Sequence, residues 1–172
     1  MSEAAGTEAK AITCSRNTCR EIFTKTVCGT AQKSFKYIRY IDLPRVCVPN
    51  QIMGCSVIGL RLQKPEVEES GTGVNSLRAK GHCQIHMWYI REHGKETSVL
   101  QYPFNFDELL PLDNFNCPNT GNLEVRIITG KKPLVSASAM IENDRIKLDI
   151  ELRICAELIS ETKLCVKVVP RP

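Results

Sequence analysis

The chain has 172 residues, of which 42% are hydrophobic and 24% charged, and this composition excludes the disordered, collagen-like and membrane-spanning classes. A net charge of +4, from 23 basic and 19 acidic residues, gives no reason to expect a nucleic-acid partner. Nine cysteines stand out, because a chain of this length can bury a core without covalent staples, and an odd number leaves at least one thiol unpaired within the chain.

Neither a secretory signal nor a membrane span is predicted. The first ten residues lack a basic region followed by an apolar one. The apolar runs fall far short of the roughly 18 residues that cross a bilayer. We therefore expect a cytosolic product whose thiols stay reduced when it is made.

Taken in chain order, the elements begin with residues 1–19, which we expect to form a flexible N-terminal arm carrying Cys14 and Cys19; an additional edge strand is the alternative. Alternating apolar and polar residues then predict a series of β-strands. A short helix is predicted at Phe106–Leu110, capped by Asn105 and ended by Pro111. Loops are predicted at Lys64–Asn75 and Asp113–Gly121, and a turn at Asn143-Asp144. The predicted strands are Glu21–Val27, Lys33–Ile41, Gln51–Leu62, Leu77–Tyr89, Thr97–Phe104, Leu123–Thr129, Leu134–Ile141, Arg145–Leu158 and Thr162–Val169.

The order of these elements predicts the fold class. No helical patterns of 10–15 residues alternate with the strands, so a parallel α/β sheet is not expected. We predict an all-β fold, an antiparallel β-sandwich or two small packed β-sheets with at most one short helix. Residues 20–169 form this domain, with possible sub-modules at 20–112 and 122–169.

Motifs for catalysis, cofactors or metals are not found in the sequence. His82 and His86 lie on the polar face of one predicted strand, about 13 Å apart at the usual rise per residue, which is too far to share an ion. Cys83 between them points to the opposite face, and no Cys-x-x-Cys pair occurs. We therefore predict no catalytic, cofactor-binding or metal-binding residues. A structural metal site assembled from distant cysteines remains an alternative.

The alternation of apolar and polar residues assigns several cysteines to one face of a predicted strand. Cys83 falls among apolar residues and is predicted to be an inert core residue. A three-residue hairpin loop at Ile159-Ser160-Glu161 would place Cys155 opposite Cys165 on an outer sheet face. Two interpretations stay open for this cross-strand pair, namely packing at an interface or a redox link between subunits. Cys14 and Cys19 on the arm are also candidates for links between subunits.

Three segments resemble one protein family. Arg20-Glu21-Ile22-Phe23-Thr24-Lys25-Thr26-Val27-Cys28-Gly29 is similar to the opening of the outer spore coat morphogenetic protein CotE family. Gly81-His82-Cys83-Gln84-Ile85-His86-Met87-Trp88-Tyr89 is similar to its centre, and Glu161-Thr162-Lys163-Leu164-Cys165-Val166-Lys167-Val168 to its end. The resemblance runs in order over nearly the whole chain.

This resemblance implies a non-enzymatic, self-assembling structural protein of the bacterial endospore. It would be made in the mother-cell cytoplasm and deposited in the spore coat as a homo-oligomer or polymer. Its implied partners are other spore coat proteins, including a basement-layer coat ATPase. The alternative is a cysteine-based, metal- or redox-responsive binding module, which would bind about one zinc per chain when purified and reduced.

Overall fold

Strands account for all the regular structure in the described part of the chain. A computed structural model describes residues 19–44, 49–69, 75–91, 96–117, 122–130 and 133–167, and no helix occurs within them. The all-β prediction is therefore confirmed. The strands are β1 (Cys19–Ile41), β2 (Pro49–Leu62), β3 (Glu66–Glu69), β4 (Asn75–Arg91), β5 (Thr97–Pro111), β6 (Leu123–Ile127), β7 (Val135–Glu142) and β8 (Arg145–Lys167).

The strands form two packed antiparallel sheets, each built around one long central strand. In the terminal sheet, β8 pairs with β1 on one edge and with β6 and β7, laid end to end, on the other. In the middle sheet, β4 pairs with β5 on one edge and with β2 and β3 on the other. The alternation of apolar residues seen in the sequence thus marks the central strand of each sheet.

The core lies between the facing surfaces of β4 and β8. Alternate residues of β8 from Ile146 to Leu158 are buried, as are alternate residues of β4 from Leu77 to Tyr89. Apolar burial of this kind is the main stabilising term for a sandwich. A polar contact also joins the sheets, because the hydroxyl of Tyr37 on β1 donates a hydrogen bond to the Glu108 carboxylate on β5.

The predicted hairpin at Ile159-Ser160-Glu161 is wrong. β8 runs without interruption through these residues, and β1 pairs along its whole length, from Cys19 opposite Lys167 to Ile41 opposite Ile146. None of the three residues favours the left-handed backbone of a tight turn, whereas β1 offers a continuous partner. Ser160 is buried, at 1% exposure, which a hairpin tip would not allow.

Three other local predictions are corrected. The helix at Phe106–Leu110 is wrong, because these residues continue β5 and pair with β4. The loop at Lys64–Asn75 contains β3, which pairs with the start of β4. Glu21–Val27 and Lys33–Ile41 are one strand, β1. The turn at Asn143-Asp144 is confirmed, with both residues at positive φ, 52° and 60°.

Candidate assembly site

In the terminal sheet, β1 and β8 continue beyond the point where β6 begins. β6 makes its last pairing with β8 at Leu123 opposite Ser160. Past that point, residues 19–25 of β1 and 161–167 of β8 pair only with each other among the described residues, and we call these two segments the terminal ribbon. A two-stranded ribbon is marginally stable by itself in water, so its edges and faces are available for further pairing.

Apolar side chains lie exposed on the terminal ribbon. The core-facing surface of β8, fully buried at Leu158, continues into Leu164 and Val166, which are 44% and 42% exposed. Ile22, directly opposite Leu164 on β1, is 44% exposed. Phe23 on the other face reaches 76%. Ile22, Leu164 and Val166 therefore form one exposed apolar patch on the core-facing surface, and such a patch is typical of an interaction surface.

Ion pairs cover the other face of the ribbon. The Lys163 ammonium lies 2.6 Å from the Glu21 carboxylate, and the Lys25 ammonium lies 2.5 Å from Glu124 on β6. The hydrogen bond between Lys25 and Glu124 raises the pKa of Lys25 and lowers that of Glu124. Exposed pairs of this kind contribute little to stability, so they orient neighbouring strands more than they hold them together.

The structure separates the two thiols that the sequence paired across strands. Cys155 and Cys165 belong to one strand and are ten positions apart (165 − 155), or about 33 Å, so they cannot form a cross-strand pair. Cys165 is exposed on the terminal ribbon, and Cys155 is half-buried opposite Gln32. Cys19 is the first residue of β1. Cys14 lies outside the described residues. Intersubunit roles for these four thiols stay a prediction.

A disulfide that the sequence did not predict joins Cys28 to Cys117. Its Cα atoms are 4.8 Å apart, and the two residues are separated by 89 positions. Cys28 is the extra residue of a bulge, because Val27 pairs with Ile159 and Gly29 with Leu158. The bulge therefore gives Cys28 a position outside the regular alternation of β1.

Backbone hydrogen bonds hold the loop that carries Cys117 against β1. Thr30 and Asp113 exchange N–H···O bonds of 3.1 and 2.6 Å, and the Asn116 amide donates to the Cys28 carbonyl at 2.8 Å. The disulfide thus reinforces a docked loop, residues 112–117, at the end of the core next to the terminal ribbon. No spacing signal could have revealed this pairing, because connectivity cannot be deduced from a cysteine count.

Two further free thiols lie in the middle sheet. Cys83 is buried, at 2% exposure, which confirms its predicted core position. Burial raises the pKa of the Cys83 thiol and that of the half-buried Cys55 on β2. A raised pKa reduces the thiolate fraction at neutral pH, so both are poor nucleophiles compared with an exposed thiol.

Contacts within the chain occupy part of the polar face of β4. Arg78 donates hydrogen bonds to Asp107 at 2.7 and 2.8 Å and to Glu68 at 2.9 Å, and the bonds to Asp107 lower the pKa of that carboxyl group. The His86 ring packs edge-on against Trp88 at 6.4 Å, and His82 is exposed. In the part of the chain that the structure describes, no three His, Cys, Asp or Glu side chains are grouped as metal ligands.

Comparison with known proteins gives one match. A model of the outer spore coat protein E (CotE) family matches residues 18–172, nearly the whole chain. No curated protein and no solved structure matches. No helix in the described ranges is long and apolar enough to cross a membrane. The chain therefore belongs to the outer spore coat protein E (CotE) family, which makes it a protein of the mother-cell cytoplasm and then of the spore coat.

Proposed function

We propose that this chain is a non-enzymatic structural protein that self-assembles into polymers or layers of the outer spore coat and recruits other coat proteins. The terminal ribbon carries this proposal, because it combines strand edges that no described strand pairs with the exposed side chains of Ile22, Leu164 and Val166. Strand edges that lack a partner add further strands readily. Sheet-rich subunits that join at such edges build extended assemblies.

Recruitment is the less specific part of the proposal. Membership in the coat family supports contacts with other coat proteins, and a basement-layer coat ATPase is the partner we propose for placement. The polar faces of the two sheets offer the remaining surface, because the core faces are closed against each other. Co-deposition of coat proteins in spores that carry ribbon variants tests whether recruitment depends on assembly.

Cross-links between subunits are the second element of the proposal. Cys165 is exposed on the terminal ribbon, where it lies close to any subunit that pairs there. Cys14, Cys19 and Cys155 complete the set that we propose for oxidation. Because thiols stay reduced in the mother cell, these links form after lysis, when the coat meets oxidant. Each link consumes two thiols and transfers two electrons to that oxidant.

Negative-stain microscopy of the purified protein, with and without reductant, tests self-assembly. We expect ordered polymers or layers in both conditions, since strand pairing does not need a disulfide. A dispersed monomer in both conditions would refute the proposal. A sedimentation series over protein concentration gives an independent measurement of the same property.

Heat resistance in non-reducing detergent tests cross-linking separately. Replacing Cys14, Cys19, Cys155 and Cys165 by serine should leave assembly intact and abolish resistance of the oxidised assemblies to hot detergent. Cys83→Ala is the matched control, because Cys83 is buried in the core, no subunit can contact it, and alanine adds no buried hydroxyl. Unchanged resistance in the fourfold variant would show that these thiols do not cross-link subunits.

A further inference from the structure

The open edge of β8 has a defined hydrogen-bonding pattern. The Cys155 carbonyl accepts a bond from the Ile128 amide at 2.8 Å, and the Arg153 amide donates to the Leu134 carbonyl at 2.8 Å. Odd-numbered residues of β8 therefore direct their backbone groups away from β1. The pairing of β8 with β6 is regular through Ser160, and its pairing with β1 is regular beyond Ile159. The alternation thus continues to the end of the strand.

Four residues consequently present amides and carbonyls to the open edge. They are Glu161, Lys163, Cys165 and Lys167. No strand among the described residues pairs with this side of β8 past Ser160. The side chains between them, Thr162, Leu164 and Val166, lie on the face that carries the exposed apolar patch.

We propose that this edge, residues 161–167, pairs with the same edge of a second copy of the chain. The two copies are antiparallel and related by a two-fold axis at Leu164, so that two terminal sheets become one continuous sheet. The inference rests on the proposed self-assembly and names one of its contacts, which closes at a dimer; polymers or layers need a second contact elsewhere on the subunit. An interface of this kind is isologous, with each contact made twice.

The charges of the edge select this register. With the axis at Leu164, Glu161 lies opposite Lys167 of the second copy, and this attractive pair occurs twice. Moving the axis to Cys165 places Lys163 opposite Lys167, a repulsive pair that also occurs twice. Moving it to Lys163 places that lysine opposite itself. Opposite charges across two strands stabilise their pairing and like charges destabilise it.

The same register also pairs the backbone hydrogen-bonding groups of the two copies and brings their apolar side chains into contact. Odd residues lie opposite odd residues, so the outward amides and carbonyls of both copies meet in hydrogen-bonded pairs. Leu164 lies opposite Leu164 in a pair without backbone hydrogen bonds, where side chains are closest. Val166 lies opposite Thr162 on the same face. The pairing therefore covers apolar surface that a single copy leaves exposed.

Charge reversal tests the register directly. Glu161→Lys places two lysines opposite each other at both contacts, and Lys167→Glu places two glutamates there. Each variant alone should self-associate about tenfold more weakly than the wild type at low salt. A 1:1 mixture of the two should regain wild-type affinity, because each mixed pair then makes two attractive contacts. The measurement is sedimentation velocity in reductant, so that disulfides do not contribute.

Lys33→Glu is the matched control for Lys167→Glu, since it makes the same change of charge at an exposed position of β1, opposite Ile154 and outside the edge. It should self-associate like the wild type. If both single variants also associate like the wild type, or if the mixture stays as weak as its components, this edge is not the interface while self-assembly itself stands. If the wild type remains monomeric at all concentrations, the proposed function fails together with this inference.

Cysteine trapping gives a second measurement that does not depend on charge. In the protein with serine at positions 14, 19, 155 and 165, Leu164→Cys should form an oxidised dimer rapidly, because the two-fold axis brings both copies of position 164 together. Val166→Cys in the same background should cross-link at least tenfold more slowly, since position 166 lies opposite 162. Equal rates for the two variants would overturn the Leu164-centred register.

Discussion

Breaking the Cys28–Cys117 disulfide should lower the free energy of unfolding substantially. The two residues are 89 positions apart, and a loop of that length corresponds to about 4.6 kcal/mol of chain entropy in the unfolded state at 25 °C. Native disulfides commonly contribute less than this limit, because reduced chains retain structure. We therefore expect a loss of about 2 to 4 kcal/mol on reduction.

Urea unfolding of the oxidised and reduced protein measures the loss. The reference is the double variant Cys28→Ala and Cys117→Ala, which should match the reduced wild type and should not respond to reductant. Alanine is preferred to serine, because Cys28 is only 7% exposed and a buried hydroxyl would add its own cost. Cys165→Ala is the matched control, since this thiol is free and exposed and its loss should not change unfolding.

Two results would contradict this reasoning. One is a shift of less than about 1 kcal/mol between oxidised and reduced wild type, well below the usual contribution of a disulfide. The other is peptide mapping of the oxidised protein that finds Cys28 bonded elsewhere. If the prediction holds, the protein is less stable in the reducing mother cell and gains stability only when the coat is oxidised, at the same stage as the proposed cross-links.

Three further changes test the packing of the sheets, each by urea unfolding. Gly81→Ala should destabilise by about 1 to 3 kcal/mol, because a Cβ there would lie 2.5 Å from the Phe106 ring and 2.7 Å from a backbone carbonyl; Gly54→Ala, whose nearest contact is 3.6 Å, should be neutral or slightly stabilising. Leu158→Ala should cost about 2 to 5 kcal/mol, since Leu158 is fully buried, and a smaller loss would mean that the site collapses around the cavity. Tyr37→Phe should cost about 1 to 2 kcal/mol by removing the hydrogen bond between the sheets. Burial and the bond to the Glu108 carboxylate raise the pKa of Tyr37, so its contribution should be complete below pH 10 and lost as the pH rises further, a dependence that Tyr37→Phe should weaken.

Sequence pattern predicted the strands whose two faces differ most. Leu77–Tyr89 was expected as a strand and lies within β4, because the alternation records burial on one face only. The split of β1 into two predicted strands has a specific cause. The bulge at Cys28 reverses which residues face the core, so a single strand has two phases. The alternation of apolar and polar residues cannot distinguish one bulged strand from two strands joined by a turn.

The remaining failures came from contacts between distant residues. Asn105 and Pro111 are local helix signals, but pairing with β4 along the whole of β5 outweighs them. Ile159 and Ser160 are both buried, which breaks the alternation of β8 at the point where a hairpin was expected. The terminal ribbon could not be predicted either, because it depends on how far β6 extends along β8.

The two sheets share one plan but differ in where their long partner strand comes from. In the middle sheet, β5 follows β4 directly in the chain and pairs with it as a hairpin. In the terminal sheet, β8 pairs with β1, and the partners Cys19 and Lys167 are 148 positions apart (167 − 19). Long-range pairing forms more slowly than local pairing, so we expect the middle sheet to close before the terminal sheet. The open edge at residues 161–167 then becomes ordered only when β1 has docked on β8. An assembly surface placed there is presented by a folded subunit and not by a partly folded one, which limits misassembly while the protein is being made.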